Sequence, residues 1–175
     1  ISKAATIPGV TLKQVDAGNE GAVREAVAGS DAVIAAVSGR KSGHDTVPAI
    51  ARNLLAALPA AGVQRLLWVG GAGSLEVAPG VRVVDTPDFP AAIKEEALGQ
   101  GRALDVFRAG TSPLNWTFIS PAALMQPGER TGQYRIGGDQ LLLDAAGNSR
   151  ISGPDFAVAL LDELERNAHG RQRMS

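Results

Sequence analysis

Three runs of strand length, Asp31–Val37, Arg65–Val69 and Asn115–Ile119, are almost continuously apolar, and a helix-period segment separates each from the next. A strand apolar at every position has no wet face, so each run is expected to be buried on both faces of a sheet. The segments between them keep another period. Residues 45 to 61 put Val47, Ile50, Ala51, Leu54, Leu55 and Leu58 on one stripe, closed by Gly62, and a second helix spans Ala91 to Ala109, weakened in its middle by Gly99 and Gly101. Strand and helix alternating at this spacing call for right-handed crossovers and parallel pairing. The expected class is α/β, doubly wound, with a mainly parallel sheet and helices on both faces.

The flanks supply smaller elements. Thr11–Val15 alternates polar and apolar residues after Pro8-Gly9 and reads as a short strand. Asn19 is placed to cap a helix facing inward with Ala22, Val23, Ala26 and Val27. Pro79 to Pro90 reads as a loop, Thr131–Ile136 and Leu141–Leu143 as short strands, and Gly147-Asn148 as a turn. Ser152-Gly-Pro-Asp155 is a capping box that starts a last helix, with Ala157, Leu160, Leu161 and Leu164 inward and Asp162, Glu163 and Glu165 on its wet face. With no internal repeat or linker, residues 1–175 read as one domain.

Composition narrows the function classes. A net charge of -1 with both signs interspersed offers no basic patch for nucleic acid or an anionic membrane surface. There are no cysteines, which excludes disulfides and thiolate chemistry and fits a cytoplasmic protein. No apolar run approaches the roughly 18 residues that span a bilayer, and no export signal opens the chain, so no membrane partner is expected. His44 and His169 lack carboxylates at ligand spacing, so no metal is expected; His44-Asp45 is more simply a helix start. No Gly-x-Ser-x-Gly elbow occurs, which argues against a serine hydrolase.

In doubly wound sheets ligands bind outside the carboxyl ends of the strands. That rule selects Ser38-Gly39, Gly70 to Ser74 and Ser120-Pro121-Ala122. The stretch Val69-Gly-Gly-Ala-Gly-Ser74 is the most distinctive, because glycines at a strand end admit a ligand or another backbone where a Cβ would clash. A tight turn with no ligand accounts for the same residues, as a solvated turn accounts for Asp16 and an exposed loop for Arg130.

Five motifs in order carry a resemblance. Val69-Gly-Gly-Ala-Gly-Ser-Leu75, Val84-Asp-Thr-Pro-Asp-Phe-Pro90, Asn115-Trp-Thr-Phe-Ile-Ser-Pro121, Pro127-Gly-Glu-Arg-Thr-Gly132 and Ser149-Arg-Ile-Ser152 resemble the atypical short-chain dehydrogenase/reductases of the NADH-flavin reductase group, which have a NAD(P)H-binding Rossmann fold. The resemblance implies NADP or NAD as cofactor, with Asp16 and Ala17 near the adenine, Val37, Ser38 and Gly39 near the ribose, and Gly70, Gly71 and Pro121 near the nicotinamide. It also implies a strand, a Gly-x-x-Gly-x-x-Gly turn, a helix and a second strand ahead of Ile1. On that expectation the domain is N-terminally incomplete, with a gap between its first strand and Asp31–Val37.

The wider superfamily pairs a strand-end Ser with Tyr-x-x-x-Lys. Here the Ser position falls on Gly71, and the only tyrosine, Tyr134, is followed four residues later by Gly138. Ketone reduction needs a proton donor at the developing alkoxide. Flavin reduction needs mainly orientation of a hydride donor against a ring nitrogen. The expected activity is therefore NAD(P)H-dependent reduction of a small planar acceptor, with FMN or FAD as substrate and Ser74 as the nearby hydroxyl that could assist. The alternative is a non-catalytic NAD(P)H-binding sensor or regulatory protein.

Overall fold

The computed structural model describes residues 7–175; Ile1 lies outside them. The central sheet consists of β1 (Ala32–Ala35), β2 (Arg65–Val69), β5 (Asn115–Ile119) and β8 (Gln172–Met174), in the order β1-β2-β5-β8. Every neighbouring pair is parallel, with Ala35 opposite Trp68, Val69 opposite Ile119, and Ile119 opposite Met174. The crossovers are helices: α2 (Thr46–Ala60), α3 (Ala91–Ala109) and α4 (Gly153–Arg166), with α1 (Glu20–Val27) preceding β1. This is the α/β architecture read from the alternation.

Side chains alternate across the strands, so the sheet has two distinct cores. Leu66, Trp68, Trp116 and Phe118 face α2 and α3, where Phe107 packs edge-on against Trp68 and Phe118. Leu67, Ile119 and Met174 face α4 through Phe156, Ala159 and Leu160. The expectation of double burial holds for β2 and β5 and fails for β1. Ile34, opposite Leu67 and so on the α4 side, is 43% exposed, because α4 does not reach over β1.

Local chemistry explains several boundaries. The Asn19 side chain accepts the Ala22 N–H at 3.0 Å and starts α1, while Gly62, at φ +82°, turns the chain after α2. Ser152 caps α4 by accepting the Asp155 N–H at 3.0 Å. Gly99 is small because α3 crosses close to the loop before α2: a Cβ there would stand 2.9 Å from the His44 carbonyl oxygen.

Four expectations need correction. Thr11–Val15 forms no strand; among the described residues no strand pairs with it, and Leu12 and Val15 stand exposed. Thr131–Ile136 and Leu141–Leu143 are not strands either. The pairing occurs instead between β6 (Leu124–Gln126) and β7 (Arg150–Ser152), which run parallel, and the segment between them wraps over the sheet's edge. The loop from Pro79 contains β4 (Val81–Arg82), paired with β3 (Glu76–Ala78). Finally, α4 is rotated by one residue from the reading above: Ala157 and Leu161 are exposed, and Phe156, Ala159, Leu160 and Glu163 turn inward. Glu163 is held there by partners on the sheet: Arg65 Nη2 at 2.8 Å and Thr117 Oγ1 at 3.0 Å, with His169 Nδ1 at 2.7 Å.

Candidate active site

Parallel strands in register release their loops at one edge of the sheet. The Gly70 N–H donates to the Ile119 carbonyl at 2.8 Å, extending the β2–β5 ladder by one step and setting Gly70 beside Ser120-Pro121. The end of β1 joins the same rim through Gln100 of α3. Its Nε2 donates to the Val37 carbonyl at 2.9 Å, and its Oε1 accepts the buried Trp68 indole N–H at 3.1 Å. One buried amide thus ties the tip after β1 to the strand that carries the glycines. The Gly39 N–H donates to Glu96 Oε2 at 3.1 Å, and His44 Nδ1 lies 3.2 Å from the same oxygen, so Glu96 pins the loop that Ser38 and Gly39 open.

The glycines of the rim are not equivalent. A Cβ on Gly73 would meet the Ala97 Cβ at 2.7 Å, and one on Gly70 would collide with the Phe118 ring, so packing accounts for both. A Cβ on Gly71 would find nothing closer than Gln100 Cβ at 3.6 Å. Gly71 is bare backbone without a packing reason. The Ser74 hydroxyl accepts a hydrogen bond from Arg173 Nη1 at 3.0 Å, which leaves its own proton free to donate. Asp16 and Ala17 lie elsewhere. Asp16 Oδ1 accepts the Gly18 N–H at 2.9 Å in a local turn, and the Ala17 carbonyl is tied to α2 by Asn53 Nδ2. Among the described residues no hydrogen bond joins either to the rim.

Beside Pro121 the rim opens into a cavity of about 470 Å³ between the sheet's edge, the β6–β7 pair and the segment that follows β6. Leu75, Ile119, Ile151, Phe156 and Met174 supply apolar wall. Tyr134 lines it as well, with its O–H donated to the Asp162 carboxylate. That hydrogen bond, with some burial, raises the phenol above its ordinary value, so Tyr134 offers a ring face rather than a mobile proton. Asp155 Oδ1 accepts the N–H groups of Thr131 and Gly132, each at 2.8 Å, and Oδ2 accepts the Thr131 hydroxyl at 2.8 Å. The Thr131 hydrogen bond is the largest influence holding the Asp155 carboxyl below the usual range, so it stays ionised and clamps the loop leading to Tyr134.

Sequence reasoning gave Tyr134 no role, read Asp155 only as part of a helix cap and Ser149 only as part of a family motif, and did not select Gln100. These residues come from separate segments, and no spacing announces that they share a wall or a bridge.

A family model described as NAD(P)H-binding matches residues 1–166. The chain belongs to the NAD(P)H-binding family. A Bacillus subtilis protein, the uncharacterized protein YwnB, is 45% identical over 127 residues, 71% of this chain and 59% of that protein's length. The chain therefore spans less than two thirds of that relative. Among solved structures, a Burkholderia pseudomallei protein provisionally named as exported is 42% identical, with a TM-score of 0.85 over 93% of this chain and 78% of its own. A provisionally named NADH-flavin reductase of Streptococcus pneumoniae is 35% identical, with a TM-score of 0.84 over 100% and 83% of the two chains. These neighbours share the Rossmann-like fold, and the family is of the atypical short-chain dehydrogenase/reductase type.

The rim's residues fit the nicotinamide end of such a cofactor: Gly71 offers open backbone, flanked by Gly70 and Pro121 from the adjacent strand tip. Among the described residues Gly70-Gly71 leads β2 into a three-residue 3-10 turn, Ala72–Ser74, and not into an α-helix, so the rim lacks the α-helix N-terminus that holds a pyrophosphate. No helix among them is long and apolar enough to cross a membrane.

Proposed function

We propose that the protein is a NAD(P)H-dependent oxidoreductase whose acceptor is a planar ring, flavin or a similar compound, held in the cavity beside Pro121. One observation carries the reading: Pro121 belongs both to the rim of strand tips and to the wall of the 470 Å³ cavity, so a group lying on Gly70-Gly71 and a ring in the cavity would be neighbours. NADP or NAD, when bound, supplies a hydride. In this arrangement Gly70, Gly71 and Pro121 form the floor beneath the nicotinamide, Val37, Ser38 and Gly39 border the ribose, and Asp16 and Ala17 lie toward the adenine.

What the chain's own side chains do is orient and exclude. Leu75, Ile119, Phe156 and Met174 give the acceptor apolar surface, and the Tyr134 ring offers a face for stacking. No side chain described in the wall is a poised acid, since Tyr134 is committed to Asp162 and Asp155 to Thr131 and Gly132. That suits an acceptor reduced at a ring nitrogen or quinone oxygen, where orientation is the main requirement. Ser74 assists as a donor at the rim, its oxygen already satisfied by Arg173. The absence of cysteine supports a cytoplasmic location.

The test is oxidation of NADPH and NADH with FMN and with menadione, followed at the absorbance of the reduced nicotinamide. Acceptor-dependent turnover is expected. Dinucleotide binding with no turnover on any flavin or quinone would overturn the reading in favour of a sensor.

A further inference from the structure

The cavity wall contains polar groups of two kinds, those already spent on the protein and those left over. Ser152 is spent: its hydroxyl donates to the Glu129 carbonyl at 2.8 Å and accepts the Asp155 N–H. Tyr134 and Asp155 are spent as described above. Two hydroxyls differ. Ser120 is 1% exposed, lines the cavity, and its Oγ has no hydrogen-bond partner among the described residues. Ser149 also lines it; its Oγ accepts the Ala123 N–H at 3.1 Å, and its own proton has no acceptor among the described residues.

A buried hydroxyl without a partner costs about 1–3 kcal/mol of desolvation. Native proteins seldom leave one so, and an orphan of this kind asks for an explanation. Packing supplies none for Ser120, since alanine would fill the same wall without the penalty. The hydroxyls become useful when an occupant brings acceptors. Gln126, Gln133, Arg135 and Arg150 also line the cavity but stand exposed to solvent; of its buried polar groups Ser120 and Ser149 are the two unspent neutral donors, and beside the apolar residues they match a flat ring bearing carbonyl oxygens.

We propose that Ser120 and Ser149 are the specificity-determining donors for a planar ring with two carbonyl oxygens, the chemistry shared by a quinone and by the pyrimidinedione edge of a flavin. The assignment rests on the reading of the cavity as the acceptor's site and adds what that site selects. Each hydroxyl donates one hydrogen bond to a ring carbonyl, and both ring faces lie against apolar wall. A flat ring of similar size without carbonyls gains the apolar contact and neither hydrogen bond.

The experiment is equilibrium binding, independent of turnover. FMN, menadione and methylene blue, the last a flat ring with no carbonyl, are titrated by calorimetry into the full chain and its Ser120→Ala, Ser149→Ala and doubly substituted forms. A neutral hydrogen bond is worth about 1 kcal/mol, so each substitution should weaken a carbonyl ligand roughly fivefold, and the pair by more than tenfold. The Kd for methylene blue should change less than about twofold. A shift confined to menadione assigns a quinone, and one confined to FMN assigns a flavin; either supports the proposal. Unchanged Kd values in the double variant, equal loss of methylene blue, or failure of the unsubstituted protein to bind either carbonyl ligand overturns it.

Ser149→Ala could loosen Ala123, so Ser120→Ala stands as the independent arm; it removes an unpartnered group and should melt no lower than the parent. Binding that behaves as stated without turnover would leave this assignment standing and sink only the reductase reading.

Discussion

A Cβ on Gly70 would stand 2.0 Å from Cε1 of Phe118, inside the ring that completes the core under the rim. Its neighbour Gly71 has extended backbone, at φ -139° and ψ 159°, which any residue adopts, and a Cβ there would sit at ordinary contact distance, 3.6 Å, from the Gln100 Cβ. The two glycines should therefore respond oppositely. Gly70→Ala forces the Phe118 ring to move and should cost about 3 kcal/mol, the upper part of the overpacking range, with Phe118→Leu in the same chain recovering much of it. Gly71→Ala should leave stability within about 0.5 kcal/mol while weakening NAD(P)H binding about tenfold, because the added methyl enters the proposed nicotinamide floor. Urea unfolding and dinucleotide titration separate the two; equal stability losses would refute the distinction.

Gln100 offers a second test of how the rim is assembled. Gln100→Leu keeps the volume and leaves the Trp68 indole N–H and the Val37 carbonyl without partners. The expected cost is about 2 kcal/mol or more. The β1 tip should also drift from the glycine strand, so dinucleotide affinity should fall along with the melting temperature. A variant as stable as the parent would show that the amide bridge is dispensable.

The parts of the fold readable from sequence are those where periodicity is unopposed. β2, β5 and the helices between them announce themselves by continuous apolar runs and by a clean stripe from Val47 to Leu58. β8 does not, because two of its three residues are polar, and buried Arg173 is tolerated only through its hydrogen bonds to Asp139 and Ser74. Thr131–Ile136 carries a strand's alternation, yet Asp155 takes its first two N–H groups and the chain folds over the cavity. Glu163 looked wet because a carboxylate on a helix usually is; only the distant Arg65 and Thr117 make it an inward residue. The candidate rim was legible through a topological rule and the cavity was not, since its wall is gathered from residues 75 to 175 with no common spacing.

The Glu163 cluster makes a prediction about acid stability. Burial alone would raise the Glu163 carboxyl, but hydrogen bonds from His169 and Thr117 outweigh it and hold the group below its ordinary value. Burial pulls the Arg65 guanidinium down, and the carboxylate offsets this only in part. A depressed carboxyl contributes stability that is complete above the unfolded-state value, about 4.3, and is lost as pH falls through the folded value. Glu163→Ala strands a buried guanidinium and should cost about 3–5 kcal/mol at neutral pH. Replacing both partners, as Arg65→Met with Glu163→Leu, should recover part of that. Thermal melts from pH 7 to 3 should show the steep acid limb flattening in the double variant; an unchanged limb would remove Glu163 from the account.

Asp155 titrates in the same direction but governs another property. Its carboxylate holds the Thr131 and Gly132 N–H groups, and the loop beyond them delivers Gln133, Tyr134 and Arg135 to the cavity wall. Asp155→Ala frees that loop while leaving Gly71 and Pro121 in place. The KM for a planar acceptor should then rise about tenfold, equivalent to roughly 1.4 kcal/mol, with the Kd for NAD(P)H within about twofold of the parent. The folded carboxyl is depressed, so the clamp is intact at neutral pH and should begin to release only below about pH 4. Acceptor KM in the parent should therefore stay flat down to that point and climb beneath it, whereas the variant should be high throughout. Because Glu163 is lost in the same window, the comparison that decides is between parent and variant at each pH. An acceptor KM that rises in parallel for both would mean that Asp155 does not hold the wall.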